Sequence, residues 1–173
     1  MELLLNPAWQ MHRRRGEFLV SDDRARLDLD VIHAFLTNCY WSKGIPRETV
    51  ARSIEHSLCF GIYDESGSKV PALVTAARPR VLQVGFGRVI SDFATFAYLA
   101  DVFVLETHRQ RGLSKFLMEC VTQHPALQGL RRWILLTRDA HGLYQQFGFT
   151  PLKSADRYME LHRPDVYEIR KTT

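Results

Sequence analysis

Cysteine is scarce in this chain, and so are the sequence signals of a membrane, disulfide-framed or nucleotide-hydrolysing protein. Three cysteines stand among 173 residues, at Cys39, Cys59 and Cys120. An odd count at wide spacing frames no disulfide set and supplies no paired metal ligands. Apolar neighbours read each one as a small buried hydrophobe. No apolar run approaches the roughly 20 residues that a bilayer-spanning helix needs. The N-terminus lacks the basic-then-apolar start of a secretory signal. The expectation is a cytoplasmic protein with no metal and no membrane contact. Neither the G-x-x-x-x-G-K-[ST] phosphate loop nor the three-glycine dinucleotide fingerprint is present. Internal repeats and low-complexity linkers are absent too. Residues 1–173 therefore read as a single domain, with residues 1–16 as an irregular N-terminal arm.

Hydrophobic residues make up 46% and charged residues 24%, the balance of a globular domain able to bury a core. The formal net charge is +4. Four basic residues cluster at His12, Arg13, Arg14 and Arg15. A basic balance is compatible with nucleic acid, but no basic stripe interleaved with aromatics and no nucleic-acid-binding signature accompanies it. A solvated arm is expected, and no nucleic-acid partner.

Apolar spacing sets the elements. Residues 17–21 read as a first strand. Ile32, Phe35, Leu36 and Cys39 fall at helical spacing over residues 31–39, with Asp28 or Asp30 as cap. Gly44 and Pro46 break that helix, and Pro46 suits the start of a second, with Val50, Ile54 and Leu58 as its apolar line. Residues 58–63 and 83–90 read as strands. The segment 68–81 between them is longer than a hairpin needs, and residues 72–76 within it have strand character. Residues 96–105 are nearly all apolar and rich in aromatic and β-branched side chains, as in a central strand buried on both faces, interrupted by Asp101. Helices follow over residues 111–123 and 139–147, the second capped by Asp139 and closed by Gly148. Residues 133–136, 149–152 and 157–161 read as the remaining strands. The order is two helices, a run of antiparallel-looking strands, then alternating strand and helix: a mixed α/β (α+β) sheet.

The junction after the central strand carries the chemistry. A strand runs through a short polar loop, Arg109-Gln110-Arg111-Gly112-Leu113-Ser114-Lys115, directly into a helix. A helix start offers unpaired N–H groups and partial positive charge to an anion. Gly112 and the small Ser114 allow close approach, and Arg109, Arg111 and Lys115 add charge suited to phosphate. A pyrophosphate-bearing cofactor fits, although a capped helix on a solvated face has the same composition.

Arg109-Gln110-Arg111-Gly112-Leu113-Ser114 resembles the R/Q-x-x-G-x-G/A signature of the GNAT superfamily of acetyl-CoA-dependent N-acetyltransferases, with Ser114 in place of Gly or Ala. Residues 139–149 resemble its later A-x-x-x-Y-x-x-x-G-F motif, through Ala140, Tyr144, Gly148 and Phe149. The two matches span residues 99–149. Residues 92–104, with Tyr40-Trp41-Ser42 and residues 162–165, resemble a small bacterial branch of the superfamily. The resemblance implies a mixed, mostly antiparallel sheet of six to seven strands, about four flanking helices and a splay between the two central strands. It implies acetyl-CoA (coenzyme A) as cofactor. Val102, Phe103 and Val104 would pair with its pantetheine arm, and residues 109–115 would hold the pyrophosphate. Thr137 stands where the family often has Asn. The implied reaction is direct attack of an amine, small-molecule or peptide, with a backbone N–H near Phe103 or Val104 at the oxyanion and Tyr144 as general acid. Asp101 is the candidate base, with Asp92 and Glu106 as alternatives. Tyr40, Trp41, Asp92, Phe93 and Tyr98 would line the acceptor mouth. A homodimer is compatible with the family. Two other readings stay open: a non-catalytic acetyl-CoA sensor, and a nucleic-acid-associated protein.

Overall fold

The protein is described by a computed structural model covering residues 9–69 and 81–167. Six strands form one sheet in sequence order: β1 (His12–Arg15), β2 (Phe18–Ser21), β3 (Leu58–Asp64), β4 (Leu82–Ser91), β5 (Phe96–Val104) and β6 (Arg132–Leu135). Every pairing is antiparallel except β5 with β6. Four α-helices flank the sheet: α1 (Leu29–Leu36), α2 (Arg47–Glu55), α3 (Leu113–Thr122) and α4 (His141–Gln145). The mixed fold expected from the sequence is therefore the one observed.

Amphipathic helices on both faces give two cores. Leu113, Phe116, Leu117, Met118, Cys120 and Val121 of α3, with Tyr144 of α4, pack on one face against Phe60, Ile62 and Leu99. Ile32 and Leu36 of α1 and Val50 and Ile54 of α2 pack on the other, against Cys59, Phe86 and Phe103. Asp28 caps α1 by accepting from the backbone N–H groups of Asp30 and Val31. Leu58 begins β3 rather than ending the second helix.

Several expectations are corrected. Residues 12–15 are an edge strand, not part of an irregular arm, joined to β2 by a two-residue turn with Gly16 at φ 60. All four are exposed, so no apolar alternation marks the strand. Charged side chains on an edge also discourage pairing with a second chain. Residues 149–152 and 157–161 pair with nothing in the sheet. Pro151 cannot donate to a ladder there, and Met159 and Leu161 project into solvent. β5 is buried on one face over most of its length, not on both: Phe96 is exposed, and Tyr98 and Ala100 are half-buried. α4 starts without a side-chain bond from Asp139; the Thr137 hydroxyl accepts from the Ala140 N–H instead. The expected extra strand at 72–76 lies outside the described residues.

Candidate active site

β6 pairs with only the first half of β5, from Phe96 with Arg132 to Leu99 with Leu135. β5 then runs on to Val104 with no partner on that side, so a gap opens between the two parallel strands. Its other edge changes register between Phe86 and Arg88 of β4. Asp101 sits at this irregularity with φ 54, a left-handed conformation that Asp tolerates better than most residues. Such strain costs on the order of 1–3 kcal/mol and persists where the surroundings enforce it. The irregularity places two successive residues, Ala100 and Asp101, toward the α1–α2 side. Val102 and Val104 then face α3, and Phe103 faces α1.

The surroundings that enforce Asp101 are specific. Its Oδ2 accepts from Arg88 Nε at 2.7 Å, and its Oδ1 accepts from the indole N–H of Trp41 at 3.3 Å. Arg88 donates from Nη1 to Ser57 Oγ at 3.1 Å. Both charged side chains are mostly buried, at 15% and 11% exposure. Burial first, then nearby Asp101, raises the Tyr98 phenol above the usual range. Phe35 stacks on Phe103 with centroids 3.9 Å apart, and continues through Trp41 to Tyr40. The Tyr40 hydroxyl accepts from the Arg138 N–H, and the Arg138 guanidinium lies 3.9 Å over its ring. Tyr40, Trp41, Tyr98 and Asp101 are thus brought together at the head of the splay.

Asp92 and Phe93 occupy the β4–β5 turn. Asp92 accepts from the backbone N–H groups of Ala94, Thr95 and Phe96 and from the Thr95 hydroxyl, which hold its carboxyl well below the usual range. Phe93 packs against the α3-side core. Glu106 lies exposed beside Arg109 on the loop after β5. Arg88 was not foreseen, although a carboxylate in an apolar strand asks for a cationic neighbour. In the facing strand, Arg88 interrupts the otherwise uncharged residues 84–90.

At the other end of the splay, Gln110 and Gly112 both take positive φ, 64 and 71, ahead of α3. Gly112 is the N-cap and gives no side-chain bond, so the N–H groups of Leu113, Ser114 and Lys115 stand without a helical partner. A Cβ built on Gly112 would meet nothing within 4 Å, so the space in front of the helix start is open. Left-handed Gln110 and Gly112 on either side of Arg111, with a bare helix start, form a concave set of donors suited to an anion. Arg111 and Lys115 are exposed here, and Arg109 donates to the Val104 carbonyl at 3.2 Å. His108 ties the loop to β3 through Asp64 at 3.3 Å.

Tyr144 is buried on α4, packed edge-on against Phe149. Burial first, then Tyr40 and Asp139, push its phenol up to about 12. A separate cleft of about 1030 Å³ between β6 and residues 147–158 is lined by neither Tyr144 nor the turn before α3.

The profile described as an acetyltransferase (GNAT) domain matches residues 72–151. A candidate acetyltransferase of Gibberella zeae is 34% identical over 138 residues, covering 75% of this chain and 77% of that protein. The chain belongs to the GNAT acetyltransferase family. A crystal structure from Xanthomonas campestris pv. campestris, described as a candidate acetyltransferase of the GNAT family, is 47% identical. It superposes with a TM-score of 0.77 over 90% of this chain and all of that one. At 12% identity, a predicted acetyltransferase of Clostridium acetobutylicum solved with acetyl-CoA shares the fold, with a TM-score of 0.54 over 88% of this chain and 96% of that one. This GNAT protein is accordingly an acyltransferase enzyme of a family that uses acetyl-CoA and acts on amines. No helix among the described residues is long and apolar enough to cross a membrane. No cluster of metal-ligating side chains occurs among them either.

Proposed function

We propose that this GNAT enzyme moves an acetyl group from acetyl-CoA to an amine by direct attack, with Tyr144 as general acid. The observation that carries the reading is the uncapped start of α3 at Gly112, next to a gap between β5 and β6. The donors there fit a pyrophosphate: Arg111, Gly112, Leu113, Ser114 and Lys115 by backbone N–H, Arg109 and Gln110 by their place in the turn. The stretch Val102, Phe103 and Val104, beyond the last β6 pair and with the Val104 carbonyl taken by Arg109, fits an extended amide-bearing arm. Thr137, engaged with the Ala140 N–H, shapes the far wall. When bound, acetyl-CoA supplies the thioester whose C–S bond breaks as the amine forms its C–N bond.

Tyr144 holds its proton throughout the neutral range, because burial disfavours the phenolate. That proton is available to the departing sulfur. No thiol competes as nucleophile. Burial pushes Cys59 up to about 12 and Cys120 up to about 11, and Cys39 is engaged with the Leu36 carbonyl. Asp101, engaged by Arg88 and Trp41, positions the α1–α2 loop at the acceptor mouth. The attacking amine releases its proton to water. Loss of acetyl transfer in Tyr144→Phe, with acetyl-CoA binding retained, tests the assignment. Unchanged transfer would remove Tyr144 from the chemistry, and binding with no transfer to any amine would support a sensor role instead.

A further inference from the structure

The acceptor face extends beyond the residues that hold Trp41. On the α1–α2 side of the sheet, Ile90 of β4, Tyr98 of β5 and Ile134 of β6 form one cross-strand row. α1 and α2 pack over Cys59, Phe86 and Phe103, and no residue of this row belongs to either buried core; Tyr98 and Ile134 are half-buried. Ile90 is 40% exposed, and Phe96, one row further out, is 37% exposed. The row lies directly before the last β5–β6 pair, where the splay opens. It is flanked on one side by the Arg88–Asp101 pair and on the other by Arg132, which pairs with Phe96.

Two properties of this face discriminate among amines. First, its carboxylates are already engaged. Asp101 is held by Arg88 and Trp41, and Asp92 accepts four hydrogen bonds within its own turn. Asp139, the other carboxylate near the site, lies exposed at the start of α4 on the Tyr144 side. Second, the charges at the rim are guanidiniums: Arg138 over Tyr40, and Arg132 beside Tyr158. A polyamine or a lysine-rich peptide would lose hydration without gaining an ion pair, and would meet like charge. An aromatic ring would bury its faces on Ile90, Tyr98 and Ile134 and lose little.

Building on the acetyl-transfer reading above, we propose that the acceptor is a primary amine carried on an aryl or aralkyl body, seated on the Ile90–Tyr98–Ile134 row. The apolar body lies on the row, and the amine end points to the splay past Asp101. With Asp101 and Asp92 both engaged, the neutral fraction of the amine is the form that reacts.

The test uses the full chain and three probes: 2-phenylethylamine, spermidine and a lysine-containing peptide. Calorimetric titration without cofactor reads amine binding, and initial rates with acetyl-CoA read turnover. The expected kcat/KM for 2-phenylethylamine exceeds that for spermidine and for the peptide by at least about tenfold, equivalent to ~1.4 kcal/mol. Ile90→Glu, at a 40% exposed position and with its unfolding midpoint checked against the parent chain, should lower 2-phenylethylamine binding and narrow or reverse that ratio. The thermal shift with acetyl-CoA should not change. A preference for spermidine or the peptide, or no binding of 2-phenylethylamine, overturns the proposal. Because the titration needs no cofactor, binding that is lost in Ile90→Glu supports the aryl face even if acetyl-CoA gives no thermal shift. That latter result would strike the cofactor reading alone.

Discussion

Asp101 shows how one side chain joins strand geometry to the loop between α1 and α2. Its left-handed backbone lets Ala100 and Asp101 share a side of the sheet, and its carboxylate ties β4, β5 and the α1–α2 loop together. Removing one member of a largely buried ion pair leaves the other uncompensated, which costs about 3 kcal/mol. Arg88→Met should therefore lower unfolding stability by about that amount in urea titrations, and adding Asp101→Asn, which removes the charge and tolerates the left-handed backbone, should recover most of it. A loss under 0.5 kcal/mol, the size of an exposed pair's contribution, would show that Asp101 is held by other means. Tyr144 makes a different prediction. Burial favours the neutral phenol and pushes its folded pKa from the ordinary tyrosine value up to about 12. The associated stability is fully present below pH 10 and is lost as pH rises through 12. As a general acid it works while protonated, so the rate should show no tyrosine-dependent fall between pH 8 and 10. A fall in that window, absent from Tyr144→Phe, would mean that the group titrates near its ordinary value.

Among the elements, the N-terminal hairpin is held by contacts far from it in sequence. His124 is 1% exposed and accepts the Ala126 N–H at Nδ1, so its proton sits on Nε2 and is donated to Asp22 at 2.9 Å. Asp22 also accepts the Met11 N–H. This chain of bonds fastens the ends of β1 and β2 to the loop after α3. Replacing His124 by Phe leaves the Asp22 carboxylate, 7% exposed, short of its donor. The expected loss is ~2 kcal/mol in urea unfolding, and no measurable loss would show that the pair is incidental. Hydrophobic spacing revealed the elements with a buried stripe. α1, α3 and β4 were legible because their apolar residues recur at 3.6 or 2 residues, and β3 and β5 because they are short, nearly continuous apolar runs. β1 was not, since a strand exposed on both faces carries no alternation. Residues 149–152 and 157–161 have strand-like composition, yet composition does not say whether a partner edge is present. The Asp101 irregularity was likewise invisible, because a register shift depends on two strands at once. At the site, the Gly112 turn and Tyr144 were legible through their motifs. Arg88 was missed because its meaning comes from the opposite strand.

At the scale of the whole molecule, the two faces of the sheet divide the work. α3 and α4 bring the Gly112 turn and Tyr144 to one side. The α1–α2 loop brings Tyr40 and Trp41 to the other, and the splay joins them. The basic cluster at the N-terminus is taken up by the fold itself. Arg13 donates to Gln123, and Arg14 pairs with Glu65. Arg15 pairs with Glu119 and lies 4.4 Å over the Phe116 ring. These contacts give the positive charge a structural use in holding β1 against α3 and β3. The central claim, that the start of α3 holds acetyl-CoA, is tested most directly by the thermal midpoint with and without excess acetyl-CoA, with ATP and NAD as controls. At about 100 times its dissociation constant, a ligand of the native state adds ~2.7 kcal/mol, which for a domain of this size is a rise of roughly 5–10 °C. The expected result is that rise with acetyl-CoA alone, abolished in Gly112→Glu, whose side chain enters the open space before α3. No rise, or an equal rise with ATP, would contradict the cofactor site and the acetyl-transfer mechanism built on it.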